Sequence, residues 1–491
     1  MENMETIAET LAAMGLEDHE KHDQSSNIGM KQRNCTMLEK LEKAAPYNIF
    51  INTIPANPET FKQPNAISFT DLLCPSLGEL KSSLQLTFLL EVRWLLEQFR
   101  ARGQSSLPLT VLYDRGNVPG DVEEEEKSTD DSHEKDEDSD DDLEVPDNVI
   151  FRSVPMRDDY GLHHSKIGIY VYKDDSLRVS VSSVNLYNED WNCYNQGIWL
   201  SPLCPKLPDS SVNTDGESRT GFKKDLLHYL HSYKEMALKP YIKYIERADF
   251  SAVRVFLVYS IPGSHKSSAP GSHLQKVTDI LSKHFVRPRG PWSIIVQTSS
   301  LGWMGEQIAT EWLRRAFLGC MASHTKSRMP ASATVGFSVV YPTVDNVLSG
   351  YFGKAGGGCL GYEKDLHENQ KWFQKYMYQW KAEELGRTRA MPHTKNYCLI
   401  SHCENKLAYF LLTSANMSRS AWGTLHRSGD LSVYVRSYEA GIMFLPEFFD
   451  EEVFEIKDTA ERKNQKLFPF MFDLPLTPYS QDDQPHTKSS E

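Results

Sequence analysis

His164 and Lys166 stand two residues apart, and 21 residues beyond that histidine comes Asn185, within Ser183-Val184-Asn185. The set returns later in the chain as His393, Lys395 and, 23 residues past the histidine, Asn416 within Ser414-Ala415-Asn416. Between His and Asn each copy reads as a strand, a polar turn and a second strand, the turns falling at Lys173–Ser176 and Ser401–Lys406. A tryptophan follows each Asn by six residues, Trp191 in one copy and Trp422 in the other. One His-x-Lys in a chain of 491 residues carries almost no information. Two, each tied to a hairpin and a Ser-x-Asn, mark an internal duplication.

These residue types suit phosphoryl chemistry. Unperturbed imidazole titrates near 6.5, so it can attack or move a proton close to neutral pH. Two copies facing each other about a pseudo-twofold axis would make one site. Lys166 and Lys395 would clamp the anionic oxygens of a phosphodiester, and Asn185 and Asn416 would add donors where charge builds up. One imidazole would attack phosphorus while the other, protonated, serves the leaving oxygen. Lysines do the electrostatic work in this scheme, so neither a metal nor another cofactor is expected. Symmetry does not say which histidine attacks.

The elements that must position these residues follow from the same repeat. Alternate residues of a strand share a face, which puts His164 with Lys166 and His393 with Lys395. Aligning the copies makes His164, not His163, the counterpart of His393, so His163 is expected on the other face as a structural residue. Each hairpin returns its Asn beside its His. Tyr47–Ile51 and Leu109–Tyr113 read as strands, Leu84–Phe99 is apolar at roughly helical spacing, and a fresh strand at Val253–Tyr259 follows a boundary near 247–252. The expected fold is α/β: a disordered tail at 1–44, one half at 45–250 and a related half at 251–491. Each half is a mixed sheet flanked by helices, with the active site in the cleft between them.

The net charge of −14 seems wrong for a nucleic-acid enzyme until it is located. Asp121–Glu144 holds 15 acidic residues against 2 lysines, so nearly all the negative charge sits in one insert and a basic groove remains open elsewhere. The run 120–147 cannot form a core and is expected to be a solvated, disordered loop, with phosphorylation at Ser128 or Ser139, or mimicry of DNA, as sharper alternatives. Eight cysteines without CxxC spacing argue against a disulfide framework and a zinc site. Cys398, His402 and Cys403 read as a strand and its turn rather than as metal ligands. No apolar run is long enough to span a bilayer, and the acidic start Met1–Glu5 lacks a secretory signal, so a soluble intracellular protein is expected.

The duplicated His-x-Lys and Ser-x-Asn resemble the phospholipase D superfamily, whose motif often carries an Asp five residues past the Lys. Val171 and Ile400 occupy those places here, a loss similar to that of the tyrosyl-DNA phosphodiesterase family. Gly161–Lys166, Gln196–Pro202, Ala390–His393, Thr413–Asn416 and Arg436–Glu439 resemble the same family. The resemblance implies two phospholipase D-like halves related by a pseudo-twofold axis. It also implies hydrolysis of 3′-phosphotyrosyl and related DNA adducts through a covalent phosphohistidine, leaving a 3′-phosphate. By it His164 is the nucleophile, His393 the general acid and then base, and Gln196 and Glu439 the polar partners of the catalytic histidines. Ser300, Leu301, Gly302, Trp303, Ser418 and Tyr160 match positions that meet DNA. The implied partners are single-stranded or nicked DNA with 3′-linked tyrosine or peptide, as in topoisomerase I adducts. The implied protein is nuclear, monomeric and not membrane-bound. A nuclease or lipase on the same scaffold, or a non-catalytic DNA-binding descendant, are the rival readings. Relatives continue past Pro485 with a Trp-bearing segment where this chain reads His486–Glu491, so a truncated or alternative product with a weakened C-terminal half is a further expectation.

Overall fold

A computed structural model describes residues 36–117, 145–212, 214–266, 268–307, 311–324, 335–401, 405–426, 432–457 and 466–488. Continuous apolar runs such as Ile167–Tyr172 and Lys406–Thr413 form strands covered on both faces, which is why they lack the alternation of a half-exposed sheet. They build two large mixed sheets.

Neighbours in the first sheet run Ala66–Ile67, Ile49–Asn52, Gly197–Leu200, Leu177–Ser182, Ile167–Tyr172, Leu80–Leu86, Leu109–Asp114 and Val149–Val154. In the second they run Phe256–Ser260, Glu439–Phe444, Lys406–Thr413, Asn396–Ser401, Ser293–Gln297, Gly336–Val340 and Met377–Tyr378, with Phe454–Glu455 paired to Lys406–Thr413. From Ile49–Asn52 onward the two orders match strand for strand. Antiparallel pairs come first, and the last two pairings are parallel in both sheets. The duplication read from His-x-Lys therefore extends through the sheets.

Helices cover the sheets, among them Phe222–Ser232, Lys239–Glu246 and His273–His284. One apolar cluster runs from Ile169 and Trp199 through Tyr229 to Phe256 and Leu412, so the halves share a core rather than meeting through a linker.

Three expectations change. Leu84–Phe99 is not one helix: Leu80–Leu86 is a strand and Val92–Ala101 a helix, because Leu84 and Leu86 keep the period of two and the chain turns at Thr87. The tail does not reach residue 44. Thr36 and Glu39 form a capping box, Met37–Ala44 is helical, and Met37 and Leu41 are buried. The strand placed at Val253 begins at Phe256. The end of the described chain is tied down: His486 N donates to Pro342 O, Lys488 N to Tyr362 O, and Lys364 N to Lys488 O. The acidic insert lies outside the described residues for 118–144, including Ser128 and Ser139, as do residues 1–35, His402 and Cys403. Among the described residues no helix is long and apolar enough to cross a membrane.

Candidate active site

Each His-x-Lys lies just ahead of its strand rather than within it, since regular pairing starts at Ile167 and Asn396. What holds each motif is backbone from the opposite half. Tyr438 N donates to Leu162 O and His164 N to Tyr438 O, both at 2.9 Å. Likewise Asn195 N donates to Met391 O at 2.8 Å and His393 N to Asn195 O at 2.9 Å. The next residue in each bridging segment then meets the imidazole. Glu439 Oε2 lies 2.9 Å from His164 Nδ1, and Gln196 Nε2 lies 2.9 Å from His393 Nδ1.

The proton positions follow from these partners. A carboxylate only accepts, so His164 carries its proton on Nδ1 and keeps a lone pair on Nε2. Gln196 is oriented by its surroundings: Oε1 accepts from Ser183 Oγ at 2.8 Å, and Nε2 donates to Asp190 O at 3.1 Å. In the neutral ring of His393, Nδ1 therefore accepts from the amide and Nε2 bears the hydrogen. One histidine offers a nucleophilic nitrogen and the other an N–H.

Both imidazoles are nearly enclosed, at 7% and 8% exposure. Burial, then Lys395, push His393 down to about 4. Burial lowers His164 as well, against the opposing pull of Glu439. Lys166 falls to about 7 and Lys395 to about 8, burial being the main cause, with Lys395 also acting on Lys166. Each lysine is anchored to its own motif, Lys166 Nζ on His164 O at 2.7 Å and Lys395 Nζ on His393 O at 2.5 Å. Lys395 thus acts on Lys166 and on both imidazoles, and Glu439 and Asp190 oppose it from behind the rings.

His163 is the structural residue expected. Its ring bridges Thr87 O and Tyr233 Oη at 3.0 Å each, its N–H meets Asp114, and burial pushes it down to about 3. Asn416 gathers Ser300 N and Thr298 Oγ1 at 3.0 Å on its Oδ1, which leaves its amide hydrogens for a substrate oxygen. Asn185 accepts from Leu89 N at 3.2 Å in the same manner, but commits one amide hydrogen to Asp190.

The expected DNA-facing residues divide. Ser300 joins the site through Asn416, and Gly302 N donates to Met417 O. The Leu301 side chain is buried in the core, so only its backbone could face a ligand. Ser418 Oγ accepts from Ala421 N and caps the turn Arg419–Trp422. Trp303 is half-buried. Tyr160 is 77% exposed, with the Arg436 guanidinium 5.6 Å from its ring centre.

Sequence reasoning missed Asp190 and Phe88, and gave the motif serines Ser183 and Ser414, which bond Gln196 and Glu439, no role of their own. The Phe88 ring lies 5.1 Å from the His164 ring and 5.4 Å from Lys166 Nζ. Asp190 could have been found, since it breaks the repeat: five residues past Asn185 stands Asp190, and five past Asn416 stands Ala421.

Two His-x-Lys motifs meeting at one cleft of a duplicated mixed-sheet fold define a phosphodiester hydrolase. A family model for tyrosyl-DNA phosphodiesterase matches residues 48–480. The chain belongs to the tyrosyl-DNA phosphodiesterase family. It is 34% identical over 455 residues to tyrosyl-DNA phosphodiesterase 1 of Drosophila melanogaster, covering 91% of this chain and 75% of that protein. It is 30% identical over 348 residues to a probable tyrosyl-DNA phosphodiesterase of Caenorhabditis elegans, over 69% of this chain and 70% of that one. The crystal structure of the yeast tyrosyl-DNA phosphodiesterase shares the fold, with a TM-score of 0.65 at 20% identity over 90% of this chain and 99% of that one.

Proposed function

We propose that this hydrolase repairs DNA by removing tyrosyl and related adducts from 3′ ends through a covalent phosphohistidine, leaving a 3′-phosphate. The observation that carries the reading is the unlike pair of Nδ1 partners, Glu439 at His164 and Gln196 at His393, across one cleft. His164 Nε2 attacks phosphorus as the bond to the tyrosine oxygen breaks, and His393 Nε2 gives that oxygen its proton. Water then attacks the phosphohistidine, its proton passing to His393. Lys166, Lys395 and the Asn416 amide hold the phosphoryl oxygens. Tyr160 and the Ser300–Trp303 segment are the proposed contacts to single-stranded or nicked DNA, Tyr160 by stacking on a base. Both half-sites come from one chain, which supports action as a monomer, and the DNA substrate implies a nuclear location.

The test is turnover of a 3′-phosphotyrosyl oligonucleotide in excess EDTA, beside unmodified DNA and phosphatidylcholine. Release of tyrosine alone, unaffected by chelator, is the expected result. Loss of activity restored by magnesium would overturn the metal-free scheme, and hydrolysis of the lipid or of unmodified DNA instead would overturn the substrate.

A further inference from the structure

His393 must serve as an imidazolium when it protonates the leaving oxygen, and the cation carries hydrogens on both nitrogens. Gln196 presents an N–H to Nδ1, which suits the neutral ring and opposes the cation. A different group has to accept the Nδ1 hydrogen. Asp190 Oδ2 lies 3.2 Å from that nitrogen and is 4% exposed.

We propose that Asp190 is a positioning residue for the reaction, accepting the Nδ1 hydrogen of His393 whenever that ring is charged and releasing the ring to Gln196 when it is neutral. The inference rests on the proposed phosphohistidine path. Three features of the fold support it. Asp190 Oδ2 is fixed independently of the ring, by Asn185 N and Asn185 Nδ2 at 2.8 Å each. The fold does not demand a carboxylate there: the matching turn of the other half holds Ala421, although Asn416 keeps the same kind of Oδ1 anchor that Leu89 gives Asn185. And the placement is one-sided: each imidazole has one carboxylate at Nδ1, but His164 takes Glu439 from the strand Glu439–Phe444 and His393 takes Asp190 from the helical turn Asn188–Asn192.

The other charged groups acting on His393 are Lys395 and Lys166, both of which disfavour its cation, with the Tyr194 ring 6.3 Å away. Asp190 is held down to about 2; burial alone would raise it, and the His393 cation, its hydrogen bond, Asn185 and Lys395 outweigh that. A permanent anion is thus available at the one place where the ring needs it. In the first step the His164–phosphorus bond forms, the phosphorus–oxygen bond to tyrosine breaks, and the His393 Nε2 proton goes to that oxygen. In the second a water oxygen bonds to phosphorus, the phosphorus–nitrogen bond to His164 breaks, and the water proton returns to His393 Nε2, so Asp190 is needed in both.

Asp190→Asn leaves an oxygen able to keep all three contacts, removes the charge and puts an NH2 in place of the other carboxylate oxygen. Its single-turnover release of tyrosine from a 3′-phosphotyrosyl oligonucleotide should fall about 10- to 100-fold. Release of 4-nitrophenolate from the matching 3′-(4-nitrophenyl) ester should change less than about threefold, because that leaving group needs little proton help. Steady turnover of the nitrophenyl ester should still slow, giving a burst as the second step becomes limiting. Equal losses on both esters, or no loss on either, would overturn the proposal. Asp190→Ala checks the anchor: if it lowers both esters alike while Asp190→Asn does not, the Asn185 contacts and the charge are separable roles. Wild-type protein that fails to release tyrosine would instead sink the proposed function and leave this variant comparison without its premise.

Discussion

Gln196 and Glu439 occupy the same place in the two halves and differ in one atom type. Ser183 Oγ donates to Gln196 and accepts from Gly197 N at 3.0 Å, and Ser414 Oγ donates to Glu439 and accepts from Ala440 N at 3.0 Å. Each follows a residue that stitches the opposite His-x-Lys in place, Asn195 in one case and Tyr438 in the other. A symmetric scaffold thus carries an asymmetric pair of acid–base environments, and two-step chemistry needs that asymmetry.

Exchanging the two should exchange the strengths of the histidines. Glu439→Gln removes the anion behind His164, so single-turnover formation of the covalent adduct should slow by about 10²-fold. Gln196→Glu adds an anion near His393 and favours its cation, so the alkaline limb of the first-step pH profile should move upward. A Gln196→Glu profile that coincides with wild type would mean that this amide does not tune the ring.

Substrate binding should draw protons from solution. Lys166 at about 7 and Lys395 at about 8 are partly neutral at pH 8, and an arriving phosphodiester anion favours both ammonium forms. Calorimetric binding of an uncleaved 3′-phosphodiester oligonucleotide, run at pH 8 in two buffers of different ionisation enthalpy, should show uptake of about one proton. At pH 6 the uptake should shrink toward zero for the lysines. Proton release at pH 8 would contradict the burial and crowding of the two amines.

Much of this was legible in the sequence, for a physical reason. The repeat fixed which histidine matters, because only one of His163 and His164 has a counterpart, and it predicted the two hairpins, Ile167–Tyr172 with Leu177–Ser182 and Asn396–Ser401 with Lys406–Thr413. Contacts across the cleft were not legible from spacing. Asp190 comes from a turn whose residues look like ordinary helix starters, and its meaning lies 3.2 Å away on a residue of the other half. The strand Leu80–Leu86 hid inside an apolar stretch, where a strand running into a helix imitates one helical period. That Ser418 caps the turn Arg419–Trp422 was not legible either, because a cap cannot be told from any other hydroxyl without the turn that follows it.

Acid should unfold the protein earlier than its carboxylates alone require. Burial holds His163 at about 3, and His273 and His393 at about 4, against about 6.5 in the unfolded chain. Below pH 6.5 the unfolded state binds protons that the folded state refuses. This share of stability is therefore complete above about 6.5 and is lost as pH falls toward 4, at about 1.4 kcal/mol per pH unit for each ring. His273 is the one to remove, since it bridges Ser260 Oγ and Thr413 Oγ1 at 2.8 Å each, outside the proposed chemistry. Urea unfolding of His273→Gln between pH 6.5 and 4.5 should show a slope shallower by about 1.4 kcal/mol per unit. An unchanged slope would mean that His273 charges without unfolding.

The unequal histidines give the most direct test of the covalent path. His164→Ala removes the attacking nitrogen, so both steps stop and no adduct forms. His393→Ala removes the proton donor and, later, the base for water. Tyrosine leaves with a phenolic pKa near 10, so bond breaking can proceed slowly without a donor. Water attack has no such relief, and general acid–base help is typically worth about 10²–10⁴ in rate. His393→Ala should therefore accumulate protein joined to the 3′ end of the oligonucleotide, visible on a denaturing gel. The bond is a phosphoramidate, so it should be lost in acid and survive alkali. The Glu439 contact predicts the same assignment on independent grounds: that carboxylate holds the His164 Nδ1–H while Nε2 attacks, whereas the Nδ1 of neutral His393 accepts from Gln196. An adduct trapped by His164→Ala would reverse the roles. If neither variant traps one while both lose turnover, direct attack by water becomes the better account, with the two lysines still binding the phosphate.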